Sequence, residues 1–125
     1  MTENEISYEI RGAIFDVYNE LGPGLLESVY SSALELDLKE RGLVTAKEVV
    51  LPVFYKNQKL DIGFRLDLLV ENKVIIELKS VEQILNVHHK QLLTYLRLSD
   101  LKLGILVNFN TDDISNSIYR KVNNL

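Results

Sequence analysis

The sequence predicts a mixed α/β domain, with a sheet of about four strands flanked by helices. Apolar residues recur at helical spacing near the start of the chain, extended runs flank short polar turns at its centre, and a nearly continuous apolar run follows later. Helical and extended periods that alternate along a chain predict helices packed on a sheet. The 125 residues suffice for one hydrophobic core, so residues 1–125 are expected to form a single domain.

Two helices are predicted at the start of the chain. The first covers Asn4–Leu21, where apolar side chains recur every three or four residues. Gly22-Pro23-Gly24 ends it, because glycine is favoured just past a helix and proline cannot continue one. The second helix covers Leu25–Arg41, with Gly42 as its expected cap.

Three strands are predicted next. Thr45–Tyr55 is extended and rich in β-branched residues, the four residues 56–59 form a turn, and Leu60–Val70 is the second strand. Val74–Ser80 is the third strand. Short turns between these strands predict an antiparallel meander.

The remainder of the chain adds a helix, a strand and a last helix. Ile84–Leu98 has a helical apolar stripe, and the apolar run Leu103–Asn108 is typical of a strand buried on both faces. The helical connection makes this strand parallel to the third. Thr111 is the expected N-cap of a final helix through Val122, with two aspartates at its positive end.

The central hairpin places two acids opposite each other. If residues 71–73 form its turn, Val70 faces Val74, and counting outward puts Asp67 directly opposite Glu77. Lys79 shares their face, because side chains alternate along a strand. The opposite face is expected to collect the apolar residues Leu66, Leu68, Val70, Val74, Ile76 and Leu78.

Like charges directly opposite each other destabilise a sheet, by about 0.2–1 kcal/mol. A divalent cation between Asp67 and Glu77 would reverse that repulsion, so the pair is a candidate metal site with Lys79 as a fixed positive charge beside it. The alternative is a solvated surface cluster, in which Asp67 pairs with Arg65 or Lys79.

Composition narrows the function classes. The chain has no cysteine, which excludes disulfides, thiolate catalysis and cysteine-based zinc sites, and fits a reducing, cytoplasmic location. No apolar run is long enough for a membrane span, and the acidic N-terminus is unlike a signal peptide. The net charge of −4 argues against nonspecific binding of nucleic acid by global charge, although a local basic rim stays compatible with it.

Four sequence blocks carry a family resemblance that covers nearly the whole chain. They are Gly24-Leu25-Leu26-Glu27-Ser28-Val29-Tyr30, then Asp67 with Glu77-Leu78-Lys79, then His88-His89-Lys90-Gln91-Leu92-Leu93-Thr94-Tyr95-Leu96, and finally Gly104-Ile105-Leu106-Val107-Asn108-Phe109. In this order the chain resembles the PD-(D/E)XK nuclease superfamily, and within it the GxxExxY proteins. The resemblance implies a restriction-endonuclease-like core.

The resemblance also implies a site and a substrate. Asp67, Glu77, Glu27 and the carbonyl of Leu78 would bind Mg²⁺ or Mn²⁺, and Lys79 would orient an attacking water. The substrate-lining residues would be Gln91, Tyr95 and His88. The expected partner is DNA or RNA, bound modestly through its backbone because no aromatic cluster for stacking bases is evident. Compact nuclease folds often act as dimers, so a homodimer is also considered.

Several residues have a structural alternative. Glu27 lies where an acid stabilises a helix N-terminus, Tyr95 could be an inward aromatic, and Gln91 could be a surface residue. Tyr30 is interpreted as a core residue whose hydroxyl is tethered. His88 and the adjacent histidine point about 100° apart on a helix, which disfavours a shared zinc ion. At the level of function, a non-catalytic nucleic-acid- or protein-binding module and a structural scaffold remain alternatives to a nuclease.

Overall fold

Local signals determine the ends of the first two helices. The computed structural model describes residues 1–125, and its helix α1 covers Glu3–Leu21. Thr2 and Glu5 form a capping box, in which each side chain accepts the main-chain N–H of the other residue. At the other end Gly22 has a φ of 68°, a conformation that favours glycine. Helix α2 covers Glu27–Glu40.

A five-stranded mixed sheet lies at the centre, which confirms the predicted fold class. Its strands, in spatial order, are β1 (Thr45–Leu51), β4 (Phe64–Val70), β5 (Val74–Lys79), β6 (Leu103–Asn108) and β7 (Ile118–Val122). Strands β5 and β6 are parallel and all other neighbours are antiparallel. Helix α3 (Asn86–Ser99) connects the parallel pair. Strands β2 (Phe54–Tyr55) and β3 (Gln58–Lys59) form a separate hairpin.

Each face of the sheet has its own hydrophobic core. Helices α1 and α2 cover one face, where Ile10, Ile14 and Leu34 pack against alternate residues of the central strands. Helix α3 covers the other face, where Leu92 and Leu96 pack against Ile75 and its neighbours. The central strands are therefore apolar on both faces, apart from the acids of the hairpin. No helix is both long and apolar enough to cross a membrane.

Gly104 allows α3 to approach β6 closely. A Cβ atom at this position would lie 2.8 Å from Leu92 Cδ1 and 3.0 Å from Leu92 Cγ. Leu92 thus occupies the space that a side chain on β6 would need. This close packing sets the distance between α3 and the start of β6, where Gly104 pairs with Ile75.

The first predicted strand is divided in the structure. The prediction of one strand over Thr45–Tyr55 is wrong, because β1 ends at Leu51 and β2 begins at Phe54. Pro52 lies between them, and proline has no N–H to donate to a sheet. The turn is also shorter than the predicted residues 56–59, since Tyr55 pairs directly with Gln58.

The predicted final helix is wrong as well. Residues 118–122 form strand β7, which pairs with β6, and only the short 3₁₀ turn Ile114–Asn116 is helical. Without β7, strand β6 would leave a row of unpaired main-chain groups at an edge. The polar side chains before β7 bond within a turn instead of permitting a helix: Ser115 Oγ donates to Asp113, and the Asp113 amide donates to Thr111.

Candidate active site

Asp67 and Glu77 lie side by side where β4 pairs with β5. Val70 pairs with Val74, as the turn predicts, and the pairing runs to Leu68 and Ile76, which directly adjoin the two acids. The Asp67 amide donates to Glu77 Oε1 at 3.3 Å, and the Leu78 amide donates to Asp67 Oδ2 at 2.8 Å. Each carboxylate is therefore held by the main chain of the other strand.

The regular alternation of side chains between the two faces of the sheet is interrupted in β4 at Asp67. Leu68 belongs to the core under α1 and α2, whereas Leu66 belongs to the core under α3. The expectation that Leu66 and Leu68 share one face is therefore wrong. On the neighbouring strand, Glu48 has a φ of 52° at the level of Asp67. Such local distortions of a strand re-aim side chains, and here the change places Asp67 at the boundary of the two faces.

Glu77 is a buried carboxylate with strongly altered acidity. Burial, and after it the neighbouring charge of Asp67, together raise the pKa of Glu77 to about 8. The charge of Lys79 partly opposes this increase in the pKa of Glu77. A carboxyl that is 7% exposed beside a second acid needs either a proton or a cation to balance its charge.

The donor atoms at this position fit a hard divalent cation in their chemistry. Asp67 and Glu77 offer carboxylate oxygens, the ligands that Mg²⁺ and Mn²⁺ prefer, and Leu78 adds a main-chain carbonyl next to Glu77. No three histidine, cysteine or acidic side chains lie together in a way that could hold a metal ion. Glu27 is thus not brought into one cluster with the two strand acids.

Lys79 ends β5 two residues after Glu77, and its side chain is half-buried. It forms no ion pair with any acid of the protein. In the parallel pairing it lies opposite Asn108 of β6. An ammonium group that acts on Glu77 without forming an ion pair is free to contact another group.

Asn108 is a site residue that the sequence analysis did not identify. Its side chain is buried, and its Oδ1 accepts the amides of Val81 at 3.1 Å and Asn110 at 3.2 Å. Its Nδ2 donates to the carbonyl of Val81 at 2.9 Å. The Asn108 amide group therefore fixes the segment that follows Lys79. A polar residue at the end of an otherwise apolar strand was the available signal.

The segment before α2 is tied to the same end of β5. The Tyr30 hydroxyl donates to the carbonyl of Gly22 at 2.5 Å and accepts the amide of Leu25 at 3.1 Å, which confirms the tethered core tyrosine. Ser80 Oγ donates to the carbonyl of Leu25 at 2.6 Å, and the Ser80 amide donates to Glu27 Oε2 at 3.3 Å. Glu27 is thereby positioned beside the residue that follows Lys79.

A small cavity of about 180 Å³ opens between α2 and the hairpin formed by β4 and β5. Glu27, Asp67 and Leu78 line it, together with Lys47, Glu48 and two serines of α2. Lys47 is a second basic residue near the acids that the sequence analysis did not identify. Glu77 does not line this cavity, so Asp67 alone of the acid pair borders it.

Helix α3 places Tyr95 near the acid pair from the opposite face. Burial raises the pKa of Tyr95, and the charges of Glu77 and Asp67 add to the increase. Hydrogen bonding to Gln91 lowers the pKa of Tyr95, so the Gln91 side chain lies within reach of the Tyr95 hydroxyl. The Tyr95 ring also contacts Phe64, with 5.0 Å between ring centroids.

His88 has a structural contact at the start of α3. Its Nδ1 accepts the amide of Leu85 at 3.0 Å, so the ring caps the helix. The other ring nitrogen, Nε2, takes no part in this cap. The role of His88 in lining the substrate stays a prediction. The adjacent His89 lies edge-on to Tyr119, with ring centroids 4.8 Å apart.

Comparisons with known proteins identify the family and a structure with a similar fold. The family model of the PD-(D/E)XK nuclease superfamily matches residues 4–121. Among solved structures, the crystal structure of SSO0001 is similar, with a TM-score of 0.58 and 28% sequence identity over 78% of this chain and 50% of that one. The chain therefore spans about half the length of SSO0001. A search of curated proteins gives no match. By the extent of the family match, the chain belongs to the PD-(D/E)XK nuclease superfamily.

Proposed function

We propose that the chain is a metal-dependent nuclease that hydrolyses phosphodiester bonds of DNA or RNA. The observation that carries the proposal is the reciprocal holding of Asp67 and Glu77, with Lys79 unpaired two residues further along β5. A surface cluster would leave the acids free in solvent and pair the lysine with one of them. Here the acids are held against each other and the lysine is left for another group.

Asp67, Glu77 and the carbonyl of Leu78 would hold Mg²⁺ or Mn²⁺. When bound, such an ion supplies positive charge at a phosphate and lowers the pKa of water. The two main-chain hydrogen bonds keep the carboxylates in place, so little rearrangement is needed to receive the ion. Glu27, bonded to the Ser80 amide, would act from the edge of the cavity through water.

Lys79 would position the attacking water and stabilise the negative charge that develops on the phosphate. The position of its ammonium depends on the segment beyond it, which Asn108 and Ser80 fix from two sides. Gln91 and Tyr95 would contact the substrate from α3 or keep the lysine oriented.

The nucleic acid would be bound modestly and mainly through its phosphates. Lys90 and Arg97 lie on the exposed side of α3, and Lys47 borders the cavity. A homodimer would enlarge the available surface. The Tyr30 tether and the position of Glu27 support a place for the chain in the GxxExxY branch, because both belong to the segment that names it.

A non-catalytic binding module on the same fold is the alternative. Two observations favour it: Glu27 accepts the Ser80 amide, and no three acids lie together in a way that could hold a metal ion. Such a module would bind nucleic acid with or without the divalent ion and would not cleave it.

The test combines thermal stability with cleavage. Millimolar Mn²⁺ or Mg²⁺ should raise the melting temperature of the wild type, because a ligand that binds only the folded state stabilises it. Asp67→Ala should abolish both the shift and the cleavage of labelled oligonucleotides. Asp112→Ala, the same change at an exposed aspartate, is the matched control. An equal shift in Asp67→Ala would contradict the site, and binding without cleavage in the wild type would favour the alternative.

A further inference from the structure

The β2–β3 hairpin leaves the sheet at the end that carries the acids. Strand β4 runs antiparallel to β5, so Phe64, which begins β4, lies at the level where β5 finishes with Lys79. Leu51 of β1 pairs with Phe64, and the chain between these two residues forms the hairpin. Phe64 in turn contacts Tyr95, so the base of the hairpin is continuous with the wall of the acid site.

The hairpin exposes two aromatic rings and an isoleucine side chain. Phe54 is 61% exposed, Tyr55 63% and Ile62 80%. Aromatic residues are favoured in strands when they pack on neighbours, but here Phe54 pairs with Lys59 and Tyr55 with Gln58. The sheet itself therefore does not explain the two rings. Exposed apolar patches of this kind mark binding surfaces.

Each ring has a lysine next to it. Phe54 lies opposite Lys59 on one face of the hairpin, and Lys56 Nζ lies 5.5 Å from the centre of the Tyr55 ring on the other. Lys56 occupies the turn with a φ of 51°, a conformation that asparagine or glycine adopts more readily. The turn thus keeps a positive charge at its tip at some conformational cost. A flat apolar ring beside a cation matches a nucleotide, whose base stacks and whose phosphate is anionic.

The charge distribution favours approach of a polyanion from this side. Residues 1–41, which include α1 and α2, contain nine acids and three bases, a formal charge of −6. Residues 42–125 contain nine acids and eleven bases, a formal charge of +2. A groove of about 540 Å³, larger than the cavity beside Asp67, lies between α1 and α2. It is lined by four acids and no base. Phosphates are therefore repelled from the helical layer and directed to the hairpin and α3.

No aromatic cluster for stacking bases was expected from the sequence, but the hairpin presents two exposed rings. We propose that, besides the phosphate contacts, the β2–β3 hairpin stacks unpaired bases of the nucleic-acid strand whose backbone enters the acid site. The proposal rests on the nuclease function above and makes its substrate a strand with a single-stranded segment, because a ring can stack only on a base face that is free. A second copy of this chain is the less favoured occupant, since a symmetric contact through the hairpins would bring the same lysines together.

The absence of tryptophan from the chain allows a direct test. Phe54→Trp introduces a single tryptophan, and a 20-nucleotide single strand added in Ca²⁺ should quench its fluorescence, whereas a blunt duplex of the same sequence should quench it far less. Tyr8→Trp places the same probe on α1, where Tyr8 is 77% exposed, and should show no quenching. Equal quenching of both probes, or none for Phe54→Trp while anisotropy reports binding, would overturn the proposal.

Anisotropy of the labelled strand separates this proposal from the nuclease function. Replacing both Phe54 and Tyr55 with alanine should weaken single-strand binding by about tenfold or more, with Tyr8→Ala as control. If the wild type binds no oligonucleotide at low salt with the ion present, both proposals fail. If the wild type binds and the double variant binds equally, only the hairpin proposal fails. Sedimentation velocity that shows a dimer in the wild type and a monomer in the double variant, at unchanged affinity, would assign the hairpin to self-association instead.

Discussion

Asp67 and Glu77 hold each other through the main chain of the opposing strand, with the Leu78 amide 2.8 Å from Asp67 and the Asp67 amide 3.3 Å from Glu77. Hydrogen bonds to a carboxylate favour its charged form, whereas burial and a like charge disfavour it. For Glu77 the second pair of effects is larger, because its pKa rises to about 8. The two carboxylates therefore repel each other when both are charged, and a divalent cation bound between them would offset this repulsion.

The stability of the metal-free protein should fall as the pH rises. Because the pKa of Glu77 is raised from 4.5 to about 8, the folded state binds more protons than the unfolded state between these values. The stabilisation is fully present below pH 4.5 and is lost as the pH increases through about 8. Glu77→Gln should flatten this dependence. Urea denaturation with a chelator present, across that pH range, measures it; an unchanged slope in Glu77→Gln would assign the pH dependence to other groups.

Lys79→Ala should abolish cleavage and leave the metal-induced rise in melting temperature nearly intact, because the lysine is not a ligand. Loss of charge stabilisation of this kind typically lowers the rate by about 10²–10³-fold. Glu77→Ala should lose both properties, and Gln91→Ala should reduce turnover less than Lys79→Ala. Single-turnover cleavage and thermal shift, measured on the same preparations, provide the comparison. Full activity in Lys79→Ala would mean that any cleavage arises elsewhere.

Tyr30→Phe should destabilise the fold by about 1–3 kcal/mol, because the Gly22 carbonyl and the Leu25 amide would each lose a buried partner. The ring would still stack on Phe109, whose centroid lies 4.4 Å away, so the core should not collapse. Chemical denaturation measures the loss. Tyr8→Phe, at an exposed tyrosine of α1, serves as the control and should be neutral.

Asn108→Ala should destabilise the protein by a comparable amount, about 1–3 kcal/mol, since two amides and one carbonyl would lose their partner. It should also reduce cleavage while leaving the metal-induced shift in melting temperature, because the segment after Lys79 would lose its support. Asn116→Ala, which removes an exposed amide bonded only to Asp113, tests whether any asparagine change has this effect. Cleavage as fast as wild type in a folded Asn108→Ala would show that this support is unnecessary.

Local rules were sufficient for the register of the acid hairpin. A three-residue turn and side-chain alternation placed Asp67 opposite Glu77, and β4 and β5 pair in that register. Alternation failed at Leu66 because the strands are distorted beside Glu48, and nothing in the local sequence marks that distortion. The hydrogen bonds of Asn108 and Ser80 could not be predicted from local sequence either, because their partners are 27 and 55 residues away along the chain.

The sequence by itself determined the helices α1–α3 and the apolar central strands, and it placed Asp67 and Glu77 on neighbouring strands, because periodicity, caps and turns act over a few residues. Only the tertiary structure decided that residues 118–122 form a strand, since the need to pair the edge of β6 arises once the sheet exists. It likewise decided which side of the acid pair opens to a cavity and left the rings of Phe54 and Tyr55 uncovered. These features depend on contacts between distant segments, which no local pattern encodes.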